Sequence, residues 1–150
     1  MHRIFVTLTL LIAGLAHAGS LPSFDQFPAR VESRQAIPPL RFSDAESQHY
    51  RTVIAAAATQ SVNFAGHYVL ATWGCGAGCV MAAAIDKRSG RVTSLPFTVS
   101  DWPLNVTEPL AYRADSRLLV VSGRRNERGD AGPHDYLFDG RGFRLLGRGK

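Results

Sequence analysis

Cysteine, methionine and long apolar runs are scarce in this sequence. The chain has two cysteines and two methionines in 150 residues. After its first 16 residues, no segment approaches the roughly 20 apolar residues that a membrane span requires. It also lacks a phosphate-binding glycine loop, an HExxH helix and a GxSxG elbow. These absences exclude a membrane-spanning helix and the commonest catalytic motifs, and they favour a protein that is not an enzyme and needs no cofactor.

The first 18 residues have the order of charge and hydropathy that is typical of a secretory signal peptide. A positive start, Met1 to Arg3, precedes an apolar run from Ile4 to Ala16, which closes on Ala16-His17-Ala18. Small residues at the first and third of these positions fit a signal peptidase. About 13 apolar residues are too few to span a bilayer. We therefore expect residues 1–18 to be a signal peptide, the mature chain to begin at Gly19 and the protein to be periplasmic or secreted.

Residues 19–42 are predicted to form an extended arm. Pro22, Pro28 and the pair Pro38-Pro39 lie within it, and proline disfavours helix both at its own position and at the residue before it. The remainder, residues 43–150, has the length of one ordinary domain. The predicted organisation is a signal peptide, an arm and a single α+β domain.

A helix is predicted at the start of the domain. Ser43 and Glu46 are spaced as a capping box, with Ser43 as the N-cap residue and Asp44 in the first turn. Apolar residues then recur at helical spacing: Tyr50, Val53, Ile54, Ala57 and Ala58. This pattern predicts a single helix from about Asp44 to Ala58 or Thr59.

The chain after residue 60 reads as β-structure. Apolar runs rich in β-formers predict strands over 64–73, 80–85, 91–98, 110–113, 117–122, 134–138 and 142–146. Glycine-bearing turns at 86–90 and 139–142 predict hairpins. Because most neighbours are joined by short links, we predict an α+β fold in which one N-terminal helix packs on a curled antiparallel meander of six or seven strands.

The two cysteines, Cys75 and Cys79, lie in the glycine-rich segment Gly74-Cys75-Gly76-Ala77-Gly78-Cys79. Outside the cytosol two cysteines tend to oxidise, and glycines allow the chain to turn back between them. We expect a structural disulfide. Three alternatives stay open: a redox-active disulfide, a metal site made by His67, Cys75, Cys79 and His134, and a cysteine nucleophile with His67 or His134 as its base.

Positive charge is concentrated at the C-terminal end of the chain. Residues 117–150 hold eight basic residues and four acids, a net of +4, whereas residues 19–116 are balanced. Such a segment attracts anionic partners. Within it, Arg124, Arg125 and Arg128 form a charged loop that is the predicted contact for a protein or an anionic envelope component, rather than for nucleic acid.

The centre of the chain resembles a group of small exported proteins of proteobacteria. The resemblance is carried by Asn63-Phe64-Ala65-Gly66-His67-Tyr68, by Trp73-Gly74-Cys75-Gly76 with Cys79, and by the later Leu137-Phe138-Asp139-Gly140 turn. It covers roughly residues 60–147. It implies a bacterial periplasmic location and no particular activity.

These observations predict an exported, non-enzymatic binding protein, such as an inhibitor or immunity-type protein, that acts through its β-sheet surface or loops. The alternative function is thiol redox or metal handling centred on Cys75, Cys79 and His67.

Overall fold

The computed structural model describes residues 22–33 and 36–148. The predicted signal peptide and the first residues of the predicted arm lie outside this part of the chain. Within these residues a short 3₁₀ helix, Phe24–Gln26, is followed by two short α-helices and ten strands in this order: β1 Arg41–Phe42, α1 Ala45–His49, α2 Arg51–Ala57, β2 Tyr68–Gly76, β3 Cys79–Asp86, β4 Arg91–Ser94, β5 Val99–Ser100, β6 Leu110–Tyr112, β7 Leu118–Ser122, β8 Arg124–Arg125, β9 Pro133–Phe138 and β10 Phe143–Arg148.

The strands form two sheets rather than the single meander predicted. The first sheet has six strands. Strands β4 and β5 pair with different parts of β3, and each carries one further neighbour, β1 beside β4 and β8 beside β5. Strand β2 pairs with β3 along its opposite edge. The second has four strands in the order β10-β9-β7-β6. All pairs are antiparallel except the pairing of β1 with β4. The predicted antiparallel character of the strands is confirmed, and helices form only a small part of the described structure.

Side-chain alternation along the central hairpin of β2 and β3 explains the layered arrangement. Leu70, Ala82 and Ala84 belong to the core that lies between the two sheets. Their chain neighbours Val69, Ala83 and Ile85 point the other way, into a second core that includes Ile54 of α2. Since successive strand residues face opposite sides, one hairpin serves both cores. The result is a helical layer, the six-stranded sheet and the four-stranded sheet.

The helical region departs from the prediction at both its start and its middle. Asp44 is the N-cap residue, and its Oδ1 accepts the Ser47 amide at 2.7 Å. Ser43 instead donates its hydroxyl to the Val92 carbonyl at 3.3 Å, because β1 pairs with β4 and keeps the preceding chain extended. The helix is then interrupted at Tyr50, which has φ −94° and ψ 19°. The predicted capping role of Ser43 is therefore wrong.

Replacing Asp44 by alanine should lower the free energy of unfolding by about 1 to 2 kcal/mol, since it removes an N-cap. The same carboxylate also accepts a hydrogen bond from the Ser94 hydroxyl, at 3.1 and 3.2 Å. The substitution therefore also removes a hydrogen bond between the helix start and β4. Urea denaturation followed by tryptophan fluorescence measures it. Ser43→Ala is the control, with a smaller effect; a larger effect for Ser43→Ala would restore Ser43 as the cap.

The arm crosses the end of the second sheet. Ala29 donates to the Asp115 carbonyl at 2.8 Å, Arg117 donates to the Phe27 carbonyl at 2.8 Å, and Glu32 donates to the Gly66 carbonyl at 2.8 Å. Ser116, which is fully buried, donates its hydroxyl to the Phe24 carbonyl at 2.7 Å. The arm segment 22–33 is thus fastened by backbone hydrogen bonds.

Candidate functional site

The cysteine pair lies at the tight turn between β2 and β3. Cys75 and Cys79 are bonded to each other, and their Cα atoms are 5.1 Å apart. Gly76 and Gly78 in the turn have φ values of +135° and +64°, a region that L-residues with a side chain rarely adopt. Glycine therefore allows the reversal that brings the two sulfurs together.

A concave site lies beside this turn. Its volume is about 340 Å³. It is formed by three segments that are distant in sequence: the cysteine turn, the end of β5 and the loop after β8. The lining residues are Ala77, Gly78, Cys79, Ser100, Asp101, Trp102 and Glu127. We call the surface formed by residues 76–79, 100–102 and 124–128 the disulfide end.

Left-handed backbone is concentrated at the disulfide end. Asp101, Asn126 and Glu127 have φ values of +49°, +51° and +60°. In the described part of the chain, Ala65 is the one other non-glycine residue with positive φ. The Asn126 amide donates to the Thr98 carbonyl at 2.9 Å, and the Asn126 side chain accepts the Thr98 amide at 3.0 Å. These two bonds hold the 124–128 loop against β5.

Ser100 contributes a buried hydroxyl that has no hydrogen-bond partner among the described residues. The residue is 7% exposed and sits between Cys79 on β3 and Arg124 on β8. A buried polar group without a partner is uncommon in native proteins and costs stability. Ser100 lies in the wall of the concave site, and its hydroxyl oxygen is itself buried.

The three arginines of the predicted contact loop differ in position. Arg124 and Arg128 are exposed, and the Arg124 Nε lies 4.0 Å from an Asp101 carboxylate oxygen. Arg125 is partly buried and donates from Nη1 to the Tyr136 hydroxyl at 2.8 Å. Arg125 therefore faces the second sheet, and Arg124 and Arg128 remain as the solvent-facing charges.

The two histidines proposed as ligands lie in separate places. His67 precedes β2, with Nε2 3.7 Å from an Asp86 carboxylate oxygen. The eight residues from His67 to Cys75 extend over about 26 Å in a strand. His134 is fully buried in β9 of the four-stranded sheet, and its Nε2 lies 2.9 Å from a carboxylate oxygen of Asp130. Within residues 22–33 and 36–148, no group of three or more histidine, cysteine, aspartate or glutamate side chains is arranged to hold a metal.

Asp135, the neighbour of His134, is a further buried carboxyl group. It is 4% exposed, and burial raises the pKa of its carboxyl group above the usual value, while His134 opposes that rise. Asp135 and His134 project to opposite faces of β9 because they are consecutive strand residues. They do not form an acid–base pair.

Comparison with known proteins adds no assignment, since no protein-family model, curated protein or solved structure is significantly similar to this chain. Among the helices of the described segments, none has the length and apolar character of a membrane span.

Ser100, Asp101 and Trp102 are site residues that the sequence did not reveal. Their only local signal is that aspartate, like Asn126, tolerates left-handed backbone better than most residues. The pairing of β5 with both β3 and β8 places them beside the cysteines. These pairings join segments about 20 and about 25 residues apart, which local patterns do not specify.

Proposed function

We propose that this chain is an exported, non-enzymatic binding protein of the inhibitor or immunity type, which contacts its partner through the disulfide end. The partner is a protein or an anionic component of the cell envelope. Three segments form the contact surface, and each is fixed by a strand pair or by the cysteine bond. Binding through a preorganised surface costs less ordering entropy than binding through a mobile one.

The concentration of strained backbone around the concave site is the observation that carries this proposal. A left-handed non-glycine residue costs on the order of 1 kcal/mol or more. Asp101 and Glu127 line this site, and Asn126 directly precedes Glu127 in the chain. Strain of this kind persists where surrounding structure enforces it, and it clusters at ligand clamps and active sites.

The side chains at this end suit recognition of another macromolecule. Arg124, Glu127 and Arg128 are exposed around the site, and Trp102 is partly buried in its wall. Leu104, two residues further along, is fully exposed, more so than Val31 and Leu145, the other exposed large apolar residues of the described segments. Arginine and tryptophan are enriched at interface hot spots.

Replacing Arg124 and Arg128 together by glutamine should weaken binding to an anionic partner by about tenfold at low salt, because exposed charges accelerate association. The salt dependence of the dissociation constant should also become flatter. The mature protein is immobilised, its partner is recovered from periplasmic extract, and affinities for the purified partner are then measured by calorimetry at two salt concentrations.

Arg117 and Arg144 provide the matched control, since both are exposed arginines away from the disulfide end. The Arg117→Gln, Arg144→Gln variant has the same net charge as the test variant. Equal loss of affinity in the two variants would show that only net charge matters and would reject the disulfide end as the contact surface.

A further inference from the structure

One edge of the first sheet is covered along only part of its length. Strand β2 pairs with β3 on one side. On its other side the Tyr68 amide donates to Phe64, and the Tyr68 carbonyl accepts from Asn63 and Phe64. The Asn63 side chain then bonds both backbone groups of Leu70, at 2.7 and 3.4 Å. The start of β2 is thereby closed.

The next two backbone positions on that side are open. In an antiparallel ladder, alternate residues direct both their N–H and C=O groups to the same neighbour. Since Tyr68 and Leu70 direct theirs away from β3, Thr72 and Gly74 do so as well. Both residues are exposed, and within the described segments no strand pairs with this side of β2.

This edge has neither charge nor proline, the features that protect several of the other edges, although its register shifts between Gly74 and Gly76. Exposed edge strands usually carry charges, prolines or bulges that prevent pairing with another chain. Strand β8 consists of two arginines, β1 contains Arg41, and β10 contains Arg144 and a register shift between Leu145 and Gly147. The nine residues of β2, Tyr68–Gly76, contain no charged residue and no proline.

A small groove runs along the open edge. Its volume is about 200 Å³, and it is lined by Thr72, Trp73, Gly74, Val80, Glu108, Pro109, Leu110 and Tyr112. Sites for small organic molecules are usually about 300 to 1,000 Å³, so this groove suits a single side chain instead. A residue paired with Thr72 or Gly74 would project on the same face as those residues, towards the groove.

We propose that an extended segment of another protein binds here by adding a strand to β2 at Thr72 and Gly74. An apolar side chain of that segment enters the groove over Val80 and Leu110. A lysine or arginine of the same segment pairs with the exposed carboxylate of Glu108. Backbone hydrogen bonds supply affinity and the pocket supplies specificity, as in other cases of β-strand addition. This surface is separate from the disulfide end and does not depend on it.

The test uses a phage-displayed library of random 12-residue peptides, selected on the mature protein. The peptide with the highest enrichment is synthesised, and its affinity is measured by calorimetry. Thr72→Pro removes the outward N–H without touching the bonds to β3 and should weaken peptide binding at least about tenfold. Thr72→Val keeps the N–H and should bind within about twofold of the unaltered protein. Glu108→Gln should cost about threefold or more.

Amide hydrogen exchange makes the test independent of how well Thr72→Pro folds. In the free protein the Thr72 and Gly74 amides should exchange much faster than those of Ala71 and Trp73, and the peptide should slow them. Protection of Thr72 and Gly74 in the dilute free protein would overturn the proposal. So would failure to enrich any peptide, equal binding by Thr72→Pro and Thr72→Val, or concentration-dependent protection without peptide, which would assign the edge to a second copy of this chain.

Discussion

Replacing Phe64 by alanine should lower the free energy of unfolding by about 3 to 5 kcal/mol, the usual cost of removing a fully buried aromatic side chain. Phe64 has no exposed surface. Its ring centroid lies 6.1 Å from that of Tyr112, 5.3 Å from that of Phe138 and 6.3 Å from that of Phe143. These rings belong to β6, β9 and β10, so the truncation removes a contact between the turn before β2 and three strands of the second sheet.

Urea denaturation of the purified protein measures the loss. Phe24→Ala is the control, since Phe24 is only partly buried in the arm and its ring lies 5.6 Å from the Arg113 guanidinium carbon. We expect that control to cost about 1 kcal/mol. A loss below about 1 kcal/mol for Phe64→Ala would mean that the packing between the sheets is not as described.

Replacing both cysteines by serine should lower stability by about 2 kcal/mol and leave the fold intact. In the chain-entropy account, closing so short a loop restricts the unfolded chain by roughly this amount. Most residues of the two cores lie outside the cysteine turn, and only Cys75 of the pair packs against one of them. Thermal unfolding followed by circular dichroism, with and without reductant, gives the difference.

The same measurement separates a structural disulfide from the redox alternative. A structural bond predicts that reduced protein matches the double serine variant and that its thiols alkylate slowly below pH 7. A redox centre predicts rapid alkylation below pH 7, since it requires a thiol of lowered pKa. Rapid alkylation, or two free thiols that hold a stoichiometric metal ion, would replace the binding proposal with thiol redox or metal handling.

The sequence predicted most of the long strands because their signal is local. The apolar run from Leu118 to Val121 predicted a strand, and β7 lies there. The glycines around the cysteines predicted a turn, and the turn between β2 and β3 lies there. By contrast, β1, β5 and β8 are two residues each. Two residues are too few to show the alternation of apolar and polar residues that marks a strand. These strands are therefore defined only by their hydrogen bonds to neighbouring strands.

The sequence also predicted part of the candidate site, again where the signal is local. The cysteine pair and the charged loop were visible as motifs, although Arg125 faces the Tyr136 hydroxyl rather than solvent. Ser100, Asp101 and Trp102 were not visible, because an unpartnered hydroxyl and left-handed backbone become apparent only when neighbouring segments are in place.

The sequence by itself determined the antiparallel β character, the helical start of the domain and the cysteine turn, because hydrophobic period and glycine placement act over a few residues. Tertiary structure alone decided that the strands divide into two sheets, that Asp44 rather than Ser43 caps the helix, and that β2 keeps an open edge at Thr72 and Gly74. Each of those outcomes depends on pairing between distant segments, where burial and hydrogen bonds available only in the folded chain override local preference.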